Sequence, residues 1–312
     1  MGDYFFNAFL SGVYSAPTET LGVSVNDEPS LLQSSHVEIY KIYDELEKEF
    51  PNFVKKTVIA KAFSREIRRY TIRNYELTNL SNIPVNPFKI CIIASLHGYE
   101  QGSAWTTAQF FRLLLKERDE KLSFIFRNVC FEVIPVANPW GFDKNERKNK
   151  NGVDLNRNFA PDFRLMADKN DSCYGGEYPE SELETQAIVR FIEENLDAKV
   201  ILDYHNIAKG YPLFYVYGQR DVQLANAVFT ALTGKWTREY AELPKNEILG
   251  LVRPNGGFGM LADHVLKRGL WILTMETPWC MPVIGKEKYD APTIRCAIDV
   301  LANTVLAICK NG

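Results

Sequence analysis

Two histidines and two acids, distant along the chain, have the types and settings that metal-assisted hydrolysis requires. The stretch "ASLHGYEQGSAW" puts His97 and Glu100 three residues apart, where an apolar strand run gives way to a helical pattern. His205 closes a second apolar run, "KVILDYHN", and Glu276 closes a third, "LWILTME". Neutral imidazole and carboxylate suit zinc, and a catalytic zinc site keeps three protein ligands and one open position. His97 and Glu100 can bend towards one point across a strand-to-loop turn, with His205 as the third donor. Taken singly, each histidine also fits an ordinary hydrogen-bonded role. Glu276 alone fits either a buried structural acceptor or a poised general base.

A second group is basic. "ERKNKNGVDLNRNF", residues 146–159, contains Arg147, Asn156 and Arg157. A guanidinium fork matches the two oxygens of a carboxylate. "ERKNK" in isolation reads as a solvated basic loop, whereas "GVDLNRNF" mixes polar and apolar residues with the period of neither strand nor helix. Of the other histidines, His36 and His264 read as structural, the latter on a helix. Trp140, after Asn138-Pro139, is expected to pack under its loop.

These groups need a frame that brings strand ends to one rim. Residues 1–33 lack a sustained period and read as an irregular arm. Residues 34–312 read as one domain. A helix opens at "SHVE", where Ser35 and Glu38 form a capping box, and its apolar positions Ile39, Ile42, Tyr43, Leu46 and Phe50 follow helical spacing. "TVIAKAF" and "RRYTIRN", joined by "SRE", suggest a hairpin. "FKICIIAS" and "VCFEVIPVAN" are strand runs apolar enough to be covered on both faces. A helix lies between them. "SELETQAIVRFIEEN" is a helix capped by Ser181 and Glu184, with Leu183, Ala187, Ile188, Phe191 and Ile192 inward, and "PLFYVYG" is a further strand. The expected class is α/β, a single mixed sheet with helices on both faces. In such sheets ligands collect beyond the carboxyl ends of strands, which is where His97, His205, Glu276 and "NPWGF" fall.

The 312 residues, 46% hydrophobic, suffice for a large core. A net charge of −3, with no basic run interleaved with aromatics, gives no sign of a nucleic-acid partner. No apolar run reaches the roughly 18 residues of a membrane span. The N-terminal apolar patch carries Asp3 in place of a positive n-region, and Phe6 stands where a myristoylation signal wants Ser or Thr. The six cysteines are dispersed without a Cys-x-x-Cys pair, indicating neither a disulfide framework nor a thiolate metal site. A reducing, cytoplasmic setting is the resulting expectation.

The ordered set His97-x-x-Glu100, "NPWGF", "GVDLNRNF", "YGGEYPESELETQAIVRFI", His205 and Glu276 resembles the zinc carboxypeptidases of the carboxypeptidase A type. The resemblance runs from about His36 to Glu276. It implies one zinc ion held by His97, Glu100 and His205. It implies Glu276 as the general base acting on a zinc-bound water, Arg147 as the cation that polarises the scissile carbonyl, and Asn156 with Arg157 as the grip on the substrate's terminal carboxylate. The implied substrate is a peptide with a free C-terminus. The chain departs from the family pattern at three places: Tyr99 stands where a subsite arginine is usual, Val252 or Arg253 where a mobile tyrosine is usual, and Cys173 has no evident disulfide partner. Two other readings compete. An N-acyl-amino-acid deacylase of the aspartoacylase or succinylglutamate desuccinylase kind shares a related His-x-x-Glu site and an Asp-Leu-Asn-Arg string, but not the "YPESELET" helix entry. A silent carboxylate-binding module would have no use for Glu276.

Overall fold

The computed structural model describes residues 35–60, 70–80, 88–116, 125, 128–208, 213–236, 251–252, 257–279 and 291–311. The arm 1–33, the "SRE" turn, Arg253 and Cys280 lie outside these residues, as do the side chains of Val252 and Cys296.

Helix α1 (His36–Glu49) starts on the expected capping box: the Ser35 hydroxyl accepts from Val37 N and Ser35 N donates to Glu38. It buries Ile39, Tyr40, Tyr43 and Leu46. Strands β1 (Val54–Ala60) and β2 (Ile72–Leu77) pair antiparallel, each displaced by a few residues from the expected runs. The displacement follows burial, because Val54 lies opposite Leu77 and both are in the core. Next come β3 (Phe88–Ala94), α2 (Gln101–Lys116) and β4 (Val129–Ile134), then α3 (Pro139–Lys144), a 3-10 turn at Leu155–Arg157, and α4 (Leu183–Glu193). The chain continues through β5 (Val200–Ala208), β6 (Leu213–Tyr215), α5 (Gln219–Trp236), β7 (Leu251–Val252), α6 (Leu261–Lys267), β8 (Ile272–Trp279) and α7 (Ala291–Asn311).

Eight described strands form one mixed sheet in the order β1-β2-β4-β3-β5-β8-β6-β7. The central four, β4, β3, β5 and β8, are mutually parallel, while β2 and β6 run against them. Ile90, Leu202, Tyr204 and Met275 on one face pack with α1, α2, α5 and α7. Cys91, Ile93, Ile201 and Ile272 on the other face pack with α4, α6, Leu155 and Phe159. Covering both faces explains the near-continuous apolar strands.

Strand order reverses at β3, whose neighbours are β4 on one side and β5 on the other. The connections that leave β3 and β5 therefore part, one towards β4 and the other towards β6, a switch point of the kind beside which ligands bind at the strands' carboxyl ends. No helix among the described residues is long and apolar enough to cross a membrane.

Two details differ from expectation. Helix α4 begins at Leu183 with Glu182 as its N-cap and no side-chain cap bond. Ser181 is held instead by Asn158 Nδ2 at 3.0 Å, while donating to Glu182 at 2.7 Å. Leu183, expected inward, is 44% exposed, and Thr185 is buried in the first turn. Trp140 is partly buried and lines a surface groove of about 730 Å³ with Val58, Ile59 and Leu183. That groove contains none of the residues expected to do chemistry.

Candidate metal centre

The turn after β3 carries His97 and Glu100, and backbone bonds to a second loop fix its shape. Gly98 N donates to Arg147 O at 3.3 Å and Tyr99 N to Glu146 O at 2.9 Å. Asn138, the N-cap of α3, binds Gly141 N through Oδ1 and Arg147 O through Nδ2. "NPWGF" thus shapes the loop that both supports the ligand turn and delivers Arg147. The contact leaves no room at position 98, where an added Cβ would lie 2.1 Å from the Gly141 carbonyl carbon. Gly98→Ala is expected to cost about 1–3 kcal/mol, as overpacking does, and to weaken metal binding because His97 and Glu100 flank the forced residue. A thermal melt and a chelator titration check this, and unchanged values in both would show the turn to be pliant.

His205 arrives from β5. Leu202 and Tyr204 enter one core and Ile201 the other, so strand alternation turns Asp203 and His205 to the α4/α6 side. The Glu100 carboxylate lies between the two rings. His97 Nδ1 is 2.7 Å from one of its oxygens and His205 Nδ1 is 2.7 Å from the other. All three side chains are buried, and one ligand atom from each lies within 4.8 Å of the others. Burial alone would raise the Glu100 pKa, but the two imidazoles outweigh it and hold the acid well below the usual carboxylate range. Burial likewise opposes charge on the rings. Glu100 with Asp154 outweighs it at His97, and Asp203 with Glu100 does so at His205, so both imidazole pKa values are raised.

This donor set fits one zinc ion. Two nitrogens and a carboxylate, buried and aimed at a shared centre, are the ligand types and number of a catalytic zinc site. A second metal-capable group, Glu76, Cys130 and Glu132, was not expected from the cysteine spacing. It is the poorer candidate, since burial pushes the Cys130 thiol up to about 12 and a thiol must lose its proton to bind metal.

Around the donors stand the other expected residues. Glu276 on β8 pairs in register with His205 on β5, so it borders the three donors without being one of them. Strands β5 and β8 run three residues beyond this pair, which places both groups inside the strands and not at their tips. Burial pushes the Glu276 pKa up to about 7; Glu100 and Asp203 add to the rise, while His205 and His97 oppose it. Arg147 reaches in from the α3 loop. Its Nε and Nη2 donate to Asp154 Oδ2 at 3.0 and 2.9 Å, and its Nη1 lies 3.4 Å from both His97 Nδ1 and Tyr99 Oη.

Asn156 and Arg157 are linked to this centre through Asp154, whose Oδ1 accepts from Asn156 N. Asn156 Oδ1 accepts from Leu261 N at 2.9 Å, fixing the start of α6. The Arg157 guanidinium lies over the Phe258 ring at 5.5 Å, and its buried Nε has no hydrogen-bond partner among the described residues. Gly259, at φ +59°, lets its chain approach the Arg157 carbonyl, which an added Cβ would meet at 2.4 Å.

Two site residues escaped the sequence reading. Asp154 is fully buried, holds Arg147, and lies 3.4 Å from His97 Nε2. Its position inside "GVDLNRNF", two residues before Asn156-Arg157, was the available signal. Asp203 is an acid in an apolar strand, two residues before a ligand and therefore on the same face. His36 and His264 are structural as expected, His36 on Asp143 at 2.8 Å and His264 on Ala160 O at 2.9 Å. Cys173 is a free thiol, as are the buried Cys91, Cys130 and Cys309.

The chain is similar in sequence and in fold to known carboxypeptidases. Mouse carboxypeptidase A4 is 25% identical over 199 residues, covering 58% of this chain and 46% of the relative. Human mast cell carboxypeptidase A is 33% identical over 119 residues, 32% of this chain and 28% of its own length. The chain thus spans about half or less of these relatives. Mouse carboxypeptidase B2 aligns further, at 26% identity over 88% of this chain and 70% of its own. Among solved structures, carboxypeptidase A from Helicoverpa armigera superposes with a TM-score of 0.71 at 19% identity, over 98% of this chain and 80% of that one. Thrombin activatable fibrinolysis inhibitor gives 0.72 at 20% identity, over 94% and 80%. The zinc carboxypeptidase profile matches residues 39–248, more than half of the 312, and on that match the chain belongs to the zinc carboxypeptidase family.

Proposed function

We propose that this protein is a zinc-dependent carboxypeptidase that removes the C-terminal residue of a peptide. The observation that carries the reading is the convergence of His97 and His205 on the two oxygens of Glu100, with Glu276 beside them in register. His97, Glu100 and His205 would hold the ion. When bound, zinc acts as a Lewis acid and lowers the pKa of a coordinated water to about 7.

The chain's own groups account for the rest. Glu276 takes the proton of the attacking water and passes it to the departing amine, a task suited to a carboxylate whose pKa is near neutrality. Arg147 is oriented by Asp154, leaving Nη1 directed towards the ligand side. A fixed cation there opposes the negative charge that grows on the scissile carbonyl oxygen, by about 3–4 kcal/mol on the scale of oxyanion-hole donors. Arg157 has an uncommitted buried Nε. Asn156 has its carbonyl oxygen committed to Leu261, which leaves its amide nitrogen as the donor for a substrate carboxylate.

The test is hydrolysis by the zinc-loaded protein of blocked dipeptides, compared with their C-terminal amides and with N-acyl amino acids, read by mass spectrometry. Loss of one residue from the free-acid peptides alone is expected. Turnover of N-acyl amino acids with none on blocked dipeptides would move the assignment to a deacylase. Arg157→Ala is expected to lower kcat/KM for free-acid peptides roughly 10–150-fold, the worth of one charged hydrogen bond at about 1.5–3 kcal/mol. Equal loss on amidated peptides would remove the carboxylate-binding role.

A further inference from the structure

Asp203 has no part in the mechanism above, yet it is 1% exposed, on the same face of β5 as the apolar Ile201 and the ligand candidate His205. A buried carboxylate is costly unless it is paired. Its Oδ2 accepts from Thr274 Oγ1 at 3.3 Å, and Thr274 in turn meets Tyr217 Oη at 3.0 Å. Its Oδ1 lies 2.8 Å from His205 Nε2. Both of these atoms are buried; the contact between them is close but not aligned as a hydrogen bond, and neither atom has a hydrogen-bond partner elsewhere among the described residues. The His205 ring therefore spans two acids, with Nδ1 on Glu100 and Nε2 on Asp203.

That arrangement decides which nitrogen carries the proton. A neutral imidazole that offers Nδ1 to a cation must keep its hydrogen on Nε2. Nε2–H then needs an acceptor, and Asp203 Oδ1 is the one within reach. Asp154 stands in the corresponding place behind His97, but at 3.4 Å and through an oxygen, Oδ1, that already accepts from Asn156 N. The facing oxygen of Asp203, Oδ1, has no such competitor.

We propose that Asp203 is a positioning residue of the metal centre, fixing His205 as its Nε2–H tautomer and aiming Nδ1 at the ion. This rests on the reading of His97, Glu100 and His205 as ligands. Partners behind a metal-bound histidine typically govern affinity by about 10–100-fold, and that loss is expected for zinc in Asp203→Asn, with Asp203→Ala at the upper end or beyond it. Zinc affinity is measured by chelator competition, and thermal melting of the zinc-stripped variants reports the fold independently. A merely structural residue would lower the melting temperature and leave the zinc affinity of the folded protein unchanged, which would overturn the proposal. Long-range nitrogen–proton NMR on the zinc-loaded wild type decides the matter even where both variants fail to fold. A protected, far-downfield ring proton on His205 Nε2 is expected, and its absence would be equally fatal. Failure of the wild type to take up zinc would instead overturn the ligand assignment itself.

Discussion

Glu276→Gln leaves the zinc content unchanged and lowers kcat by about 10²–10⁴-fold, the range of general acid–base catalysis. The substitution keeps size and shape while removing the only function the reading gives this side chain, which is to exchange a proton. Zinc should stay because Glu276 lies outside the group of donors that share a centre. The pH profile gives the same test independently. The competent form of Glu276 is the ionised one, so kcat/KM falls as pH drops through its pKa. Burial pushes that pKa up to about 7 in the chain itself, and a divalent cation nearby pulls it down. The acidic limb in the wild type is therefore expected at or below about 7, and it should be missing from whatever activity the variant retains. Zinc lost along with activity would mean that Glu276 is a ligand and not the base.

Glu100→Gln should have the opposite signature, losing metal and activity together. One side chain here supplies the only negative charge among the three donors and meets both rings. Zinc affinity is expected to fall by more than the roughly 100-fold upper range for groups behind the ligands. Two pH effects follow from the raised pKa values of His97 and His205. In the zinc-free protein, their pairing with Glu100 stabilises the fold fully below the unfolded histidine pKa of about 6.5. That contribution is lost as pH rises through the higher folded values. Zinc binding runs the other way, because the rings must give up their protons to bind the ion, so affinity climbs with pH and protons are released. Melting curves across pH, with and without zinc, should diverge in the wild type and flatten in the variant. Parallel curves in the wild type would contradict the assignment.

What could be read from the chain depended on whether a signal was local or needed register. The Ser35 capping box and the buried face of α1 are local, set by spacing within one helix, and the structure bears them out. The ligand pair His97 and Glu100 is local too, since one turn joins them. His205 and Glu276 were found because each closes an apolar run, yet their adjacency comes only from the pairing of β5 with β8. Asp203 had no signature and Asp154 only its place inside "GVDLNRNF", because the role of a single acid is set by its neighbour across the sheet or loop. The α4 cap failed for a similar reason. Asn158, more than twenty residues upstream, takes the Ser181 hydroxyl that the local pattern reserved for the helix.

The most direct test of the central claim is metal analysis of the purified protein, with anomalous scattering at the zinc edge to locate the ion. The expected result is one zinc per chain between His97, Glu100 and His205, lost in His97→Ala and in His205→Ala. Zinc retained by both variants, or found instead beside Glu76, Cys130 and Glu132, would contradict it.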